Sequence, residues 1–285
     1  MKSAPDNKSL STLLRQAPLL RQALLLLGLV LANAALAQSP PQLFEPMVGT
    51  PGKDVVYVPQ PADVVERMMD VGQVSAQDFV IDLGSGDGRN VIAAAKRGAR
   101  ALGVEFNPEF VEYSRRAALA AGVAGRASFV QGDMYEADIS QATVLALFLL
   151  TDNLNKLRSK FLALKPGTRI VSNTFKINDW QPDETVRAAG ECTLWCELHL
   201  YIVPAQVAGT WRLAQGEMKL EQQFQMLSGT LSAGGKSLPL ENARMRGERI
   251  SFSAGGVNYE GSLNGRSMEG QMSGASSGRW TATRP

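Results

Sequence analysis

One segment constrains this chain more than any other: Phe79-Val80-Ile81-Asp82-Leu83-Gly84-Ser85-Gly86-Asp87-Gly88-Arg89. Its apolar run reads as a buried strand that carries an acid near its end. Three glycines at every second position follow, and the alanine-rich stretch 90–97 then reads as a helix. Glycines there let the backbone turn sharply and let a ligand lie against it without meeting a Cβ. A helix opening immediately afterwards points free N–H groups at that ligand. The spacing is G-x-G-x-G, whereas dinucleotide-binding loops space their glycines G-x-G-x-x-G. An NAD-type ligand is therefore disfavoured.

The rest of the first two thirds alternates strand and helix signals from about Val55 to Val203, the pattern of a parallel sheet wrapped by helices. Pro61 to Val71 reads as an amphipathic helix with Val64, Val65, Met68 and Met69 on one side. Strands are expected at Ala101 to Glu105, Ser128 to Gln131, Thr143 to Leu150, Arg169 to Thr174 and Leu194 to Val203. Asn107-Pro108-Glu109 combines a cap, a proline in the first turn and an acid near the positive dipole end. The helix it starts runs to Ala121, and a further helix is expected from Asn153 to Leu164.

Acids recur at the strand ends. Glu105 closes the second strand, 23 residues after Asp82, where one carboxylate accepts from both hydroxyls of a ribose. Asp133 closes the third strand and is placed to accept from an adenine exocyclic amine, with Met134 and Phe106 covering the two ring faces. The single histidine, His199, sits in an apolar run and reads as a strand residue rather than a base.

These loops resemble those of class I S-adenosylmethionine (SAM)-dependent methyltransferases, whose motif is acid-x-Gly-x-Gly-x-Gly. Val55-Val56-Tyr57-Val58-Pro59-Gln60-Pro61, Gly103 to Pro108, Lys165 to Ser172 and Asp179-Trp180-Gln181-Pro182-Asp183 extend the likeness over residues 55–205. Within that class the chain is similar to the lysine methyltransferases that modify the c-ring protein of ATP synthase and adenine nucleotide translocase, and above all to their bacterial relatives. The resemblance implies a Rossmann-like α/β sheet and SAM as cofactor. It places Tyr57, Val58, Asp82, Gly84, Ser85, Gly86, Asp87, Gly88, Glu105, Phe106, Asp133 and Met134 around that cofactor. Asp82 would order the loop and meet the methionine end of SAM. The implied partner is a protein substrate methylated on a side chain, lysine. Two departures fall where the acceptor should sit. Bacterial relatives carry Leu-Leu-Pro and Ser-His where this chain has Leu149-Leu150-Thr151 and Ser172-Asn173. No catalytic base is singled out, because the sulfonium is already activated and placement and desolvation supply most of the acceleration.

After Pro204 the helical period disappears. Short alternating runs separated by Ala233-Gly234-Gly235, Ala254-Gly255-Gly256 and Asn264-Gly265 predict a small antiparallel β-meander over 206–285, curled into a barrel or half-barrel. Strands are expected at Glu217 to Met226, Gly229 to Leu231, Lys236 to Leu240, Arg249 to Ser253, Val257 to Leu263, Ser267 to Met272 and Arg279 to Thr283. Gly209-Thr210-Trp211 and Arg279-Trp280-Thr281-Ala282 are placed to bring its two ends together.

At the other end, basic residues precede the apolar run Ala23 to Leu31 and the Ala35-Leu36-Ala37 step, the succession of a bacterial export signal over residues 1–37. Residues 38–54 then read as a linker. Periplasmic or secreted localisation follows from that reading, with an uncleaved membrane anchor as its alternative. In an oxidising compartment Cys192 and Cys196, the two cysteines, pair across a tight turn or remain as buried thiols. Two thiols and one histidine leave no basis for a structural zinc site. A net charge of +2 spread along 285 residues gives no electrostatic case for nucleic acid. Two functions fit this sequence: an exported methyltransferase, or an exported binding module that keeps the fold and uses the meander to hold a partner.

Overall fold

The computed structural model describes residues 43–188, 192–214 and 216–284. The expected export signal lies outside them, as do residues 38–42 of the expected linker. Two sheets account for the strands. The first runs β1 (Phe79–Leu83), β2 (Arg100–Glu105), β3 (Ala127–Gln131), β4 (Val144–Leu147), β5 (Arg169–Asn173), β6 (Glu184–Arg187) and β7 (Glu197–Ile202). Its spatial order is β3-β2-β1-β4-β5-β7-β6, with β7 antiparallel to both neighbours and β1 to β5 parallel. The order reverses beside β1, so the glycine loop opens into the crevice where an open α/β sheet binds its ligands.

Side-chain alternation along each strand divides the core between two faces. Val80, Val144 and Val171 pack with α1 (Ala62–Val71), α2 (Arg89–Lys96) and α3 (Pro108–Ala120). Ile81, Leu83, Leu145 and Leu147 pack on the other face with Leu154, Leu157 and Phe161 of α4 (Thr151–Leu162). The Asn107 side chain accepts from Glu109 N and caps α3, as the Asn-Pro-Glu signal implies. Gly88 shows why its position excludes a side chain. It caps α2 at φ +81°, and a Cβ there would lie 2.7 Å from the Phe129 ring and 2.9 Å from Ser114 Cβ.

Two boundaries differ from the sequence reading in ways that matter to the site. β4 ends at Leu147 rather than Leu150, and α4 begins at Thr151 rather than Asn153. Phe148, Leu149 and Leu150 therefore form a loop at the sheet's carboxyl edge. Leu194 to Val203 likewise shortens to Glu197–Ile202, which leaves Trp195 in a loop before β7.

The second sheet is a closed barrel. Its strands are β8 (Gly209–Leu213), β9 (Gly216–Gln223), β10 (Met226–Ala233), β11 (Lys236–Pro239), β12 (Glu241–Arg246), β13 (Arg249–Ala254), β14 (Val257–Asn264), β15 (Ser267–Gly274) and β16 (Gly278–Thr283). Eight of them run β10-β12-β13-β14-β15-β16-β8-β9, and β9 pairs back to β10 to close the ring, with β11 attached to β10. Closure removes free edges. The two ends meet as expected, with Ala282 opposite Leu213 and Thr283 opposite Arg212. Trp211, Met218, Leu220, Met245, Ile250, Phe252, Met268 and Trp280 fill the interior at alternating positions. No helix among the described residues is long and apolar enough to cross a membrane.

Candidate active site

A pocket opens along the carboxyl edge of β1, β2, β4 and β5. Gly84, Gly86 and Gly88 all have positive φ, at +72°, +51° and +81°. The loop they form folds back on β2, where Gly84 N and Ser85 N donate to Val104 O. Glu105 fixes the loop from the other side. Its Oε2 accepts from Gly86 N at 2.9 Å and its Oε1 from Asn107 N at 2.9 Å. One buried carboxylate thus ties the loop to the start of α3 and keeps further lone pairs for a ligand. Gly86 must lack a side chain for space as well as conformation, since a Cβ there would meet the Tyr57 ring at 3.1 Å.

Tyr57 covers that glycine from above. Its ring packs against Phe110 at 4.8 Å, and its hydroxyl donates to Asp87 Oδ2 at 3.0 Å. Arg89 donates from Nε to Asp87 Oδ1 and from Nη2 to both Asp87 Oδ2 and Tyr57 Oη, while Nη1 reaches Gln60 O. Burial, with the Asp87 carboxylate adding to it, pushes the Tyr57 phenol up to about 12, so the phenol stays a donor. Arg89 is thus the hub joining the segment 57–60 to the glycine loop, a role that its position in the motif alone did not reveal.

Asp82 sits beneath the loop, 3% exposed, and accepts from Asn90 Nδ2 at 3.2 Å. Burial drives its carboxyl well above the ordinary 3.8, and the charges of Glu105 and Asp87 add to the rise. The site therefore gathers acids that repel one another, an arrangement suited to a cationic ligand. A raised folded-state pKa means that stability present below the ordinary value is lost as pH climbs above it. Asp82→Asn removes that loss. The variant should melt higher than the parent at pH 7 and show no gain near pH 4. It should bind SAM about tenfold more weakly, the worth of one charge-assisted hydrogen bond. Scanning fluorimetry across pH with calorimetry for SAM checks both; a variant that melts no higher at pH 7 would show that the buried acid carries no strain.

Asp133, Met134, Phe106 and Val58 all line the pocket. Phe106 is 48% exposed and Met134 is buried, so an adenine would find one open ring face and one seated side chain. Lys53 is an unforeseen neighbour. Its Nζ lies 2.5 Å from Asp133 Oδ2 and 5.6 Å from the Phe106 ring centre, and it holds the Asp133 carboxyl below the usual carboxylate range. Eighty residues separate the two, and no local motif links them. Thr50, Gly52, Lys53 and Asp54, read as linker, thereby line the pocket that Asp133 also lines.

Phe148, Leu150, Phe175 and Trp195 line the same pocket, on the loops after β4, after β5 and before β7. His199 is fully buried within β7, and its ring nitrogens meet Thr185 Oγ1 and Thr174 O, which makes it a strand residue as expected. Cys192 and Cys196 are bridged, which resolves the two alternatives in favour of the disulfide. No cluster of metal-ligating side chains occurs among the described residues.

The residues present fit SAM. Gly84 and Gly86, both at positive φ, line the pocket, whereas Gly88, expected beside the cofactor, packs against Phe129 and Ser114 and does not. Ser85 Oγ and Asn90 Oδ1 nearby are buried without a partner, and Asp82, Asp87, Glu105 and Asp133 line the same pocket. Residues 82–184 match the model of the ANTKMT methyltransferase domain. A protein-lysine N-methyltransferase of Saccharolobus islandicus is 47% identical over 136 residues, which are 47% of this chain and 84% of that protein. The adenine nucleotide translocase lysine N-methyltransferase of Mus musculus is 35% identical over 141 residues, covering 49% of this chain and 60% of the mouse protein. A solved RNA methyltransferase of Salinibacter ruber, in complex with S-adenosyl-L-homocysteine, is 44% identical and covers 53% of this chain and 96% of that one, at a TM-score of 0.49. With the glycine cradle, the strand-end acids and an archaeal relative matched over most of its length, the chain belongs to the SAM-dependent methyltransferases of the protein-lysine N-methyltransferase family.

Proposed function

We propose that the chain methylates a protein side chain and that the accepting group is the lysine ε-amine. The observation that carries this reading is the polarity of the pocket. Glu105 and Asp133 stand at its nucleoside end, and the loops after β4 and β5 close the other end with aromatic side chains. SAM supplies an already activated methyl group when it is bound. Glu105 would then accept from the ribose hydroxyls while keeping its bonds to Gly86 and Asn107. Asp133 would exchange Lys53 for the adenine amine, and Phe106 and Met134 would flank the ring. Asp82 would face the amino end. The acceptor nitrogen needs a free lone pair, so its proton must leave before the methyl arrives. Beyond that the chain's task is in-line placement and exclusion of water. A binding module without chemistry is the poorer reading, because the relatives it matches are named as methyltransferases.

The test is incubation of the purified protein with methyl-labelled SAM and heat-treated membrane and envelope extract, followed by acid hydrolysis and amino-acid analysis. Label in mono-, di- or trimethyl-lysine is the expected result. Label confined to another residue, or to nucleic acid, would overturn the lysine assignment. Absence of transfer together with absence of SAM binding would overturn the enzymatic reading.

A further inference from the structure

At the pocket end remote from the nucleoside acids, three rings lie in mutual contact, one pair stacked, one tilted and one edge-on. Phe148 and Trp195 lie with centroids 5.4 Å apart at 64°, Phe175 and Trp195 6.0 Å apart at 38°, and Phe148 and Phe175 6.1 Å apart at 29°. Each ring is half-buried, and each comes from a different loop at the sheet's carboxyl edge. The Phe148–Trp195 pair has the geometry of the core pair Trp180–Tyr201, also 5.4 Å and 64°, but these three rings keep part of their surface at the pocket wall. Core aromatics such as Trp180 and Trp211 are at most 1% exposed.

The turn that carries Trp195 is built with unusual care. Trp195 has φ +62°, a conformation that bulky residues rarely adopt, and such outliers persist where surrounding structure over-determines them. The Cys192–Cys196 disulfide closes the turn around it. From below, the fully buried Asn173 donates through Nδ2 to Trp195 O at 2.5 Å and to Glu197 O at 3.0 Å. Asn173 is itself held by Gln60 Nε2 at 3.0 Å. A covalent clamp and a buried amide thus hold one indole against two phenyl rings.

We infer that Phe148, Phe175 and Trp195 form the subsite for the acceptor's alkylammonium group, a lysine side chain and its N-methylated products, with the Cys192–Cys196 bridge and Asn173 as positioning devices for Trp195. This rests on the methyltransferase reading and says where in the pocket the acceptor lies. Ring faces carry negative potential and attract cations, and they favour a methylated ammonium because each methyl removes an N–H that water would otherwise solvate. Leu150, 46% exposed and lining the same pocket, offers apolar surface to the methylene stem.

The experiment titrates the full chain with N-acetyl-Nε-trimethyl-lysine amide and with its neutral isostere, in which a tert-butyl carbon replaces the quaternary nitrogen. Calorimetry and tryptophan fluorescence serve as readouts. Trp180, Trp211 and Trp280 are buried at 1%, 0% and 4% exposure, so the change in emission reports Trp195. The cation should bind about tenfold more tightly than the isostere, or ~1.4 kcal/mol. Trp195→Ala and Phe148→Leu should each erase most of that preference, while Trp195→Phe restores part of it. The double variant Cys192→Ser, Cys196→Ser should also lose it. All four variants should keep their SAM affinity within about twofold, which certifies an intact fold. Equal binding of cation and isostere, or an unchanged preference in Trp195→Ala, would overturn the subsite. An unchanged preference in the double serine variant would overturn the positioning role of the bridge. Failure of the unaltered chain to bind SAM would instead overturn the reading on which the subsite rests, and the two failures are told apart in one set of titrations.

Discussion

Glu105→Ala should weaken SAM binding by two orders of magnitude or more. The carboxylate is 8% exposed and each of its oxygens already accepts a backbone N–H. Two ribose hydroxyls would add two further charge-assisted hydrogen bonds, each contributing about 1.5–3 kcal/mol. Losing both costs at least about 3 kcal/mol, or more than a hundredfold in affinity. The variant also releases Gly86 N and Asn107 N, so the glycine loop loses its tie to α3 and part of its pre-organisation. Glu105→Gln separates the two effects. Its amide oxygen can keep one backbone bond, so the loop stays tethered while the charge is gone, and its affinity should fall between parent and Ala. Isothermal titration of each variant with SAM, beside circular dichroism for the fold, makes the measurement. A folded Glu105→Ala chain with parental affinity would show that ribose does not sit on this residue.

What the sequence disclosed about this site follows from how local each signal is. The strand, loop and helix at 79–97 announce themselves in one contiguous run, because glycine periodicity and apolar runs act on neighbours. Glu105 was legible as the last residue of a short strand, Asp133 as an acid two residues past the end of the next, and Asn107 as a cap. Elements without such markers were missed. β6 is four residues long with mostly exposed side chains, so it lacks the apolar alternation of a half-buried strand. β12 escaped detection because its alternation is broken near its start, where the register with β13 shifts between Glu241 and Arg244 and Asn242 takes a positive φ of +52°. The stretch 217–226 reads as one strand, yet Phe224, at φ +54°, begins a tight turn between β9 and β10 with no glycine to advertise it. Lys53, Arg89, Phe148, Phe175 and Trp195 are functional candidates through tertiary neighbours alone. The pairing of Lys53 with Asp133 spans 80 positions, and the three rings come from loops that only the strand order β4-β5-β7 brings together.

The barrel poses the other large test, because the shift in composition after Pro204 and the contacts between the two sheets point in different directions. All strands of the first sheet precede Ala205, and every residue proposed to meet SAM lies between Tyr57 and Met134. A chain ending at Ala208 should therefore bind SAM as the full chain does. The barrel nevertheless leans on the sheet through specific groups. Phe224 stacks on Trp180 at 5.4 Å and 3°, and Gln225 Nε2 donates to Gln181 O. Arg244 Nη2 lies 2.8 Å from Asp183 Oδ1, whose side chain is fully buried and also accepts from Ile202 N. Truncation solvates Asp183, which limits the loss there, but it strips the cover from Trp180. Uncovering roughly 100 Å² of that ring costs about 2.5 kcal/mol at 25 cal/mol per Å². For a chain of this size that lowers the melting midpoint by about 5–10 °C. Thermal melts and SAM titration of the truncated chain are the measurements. Retained affinity with a lowered midpoint is the expected pair. A molten or insoluble product would mean that the Trp180–Phe224 and Asp183–Arg244 contacts complete a single cooperative core, and that the barrel is part of the catalytic fold rather than an addition to it.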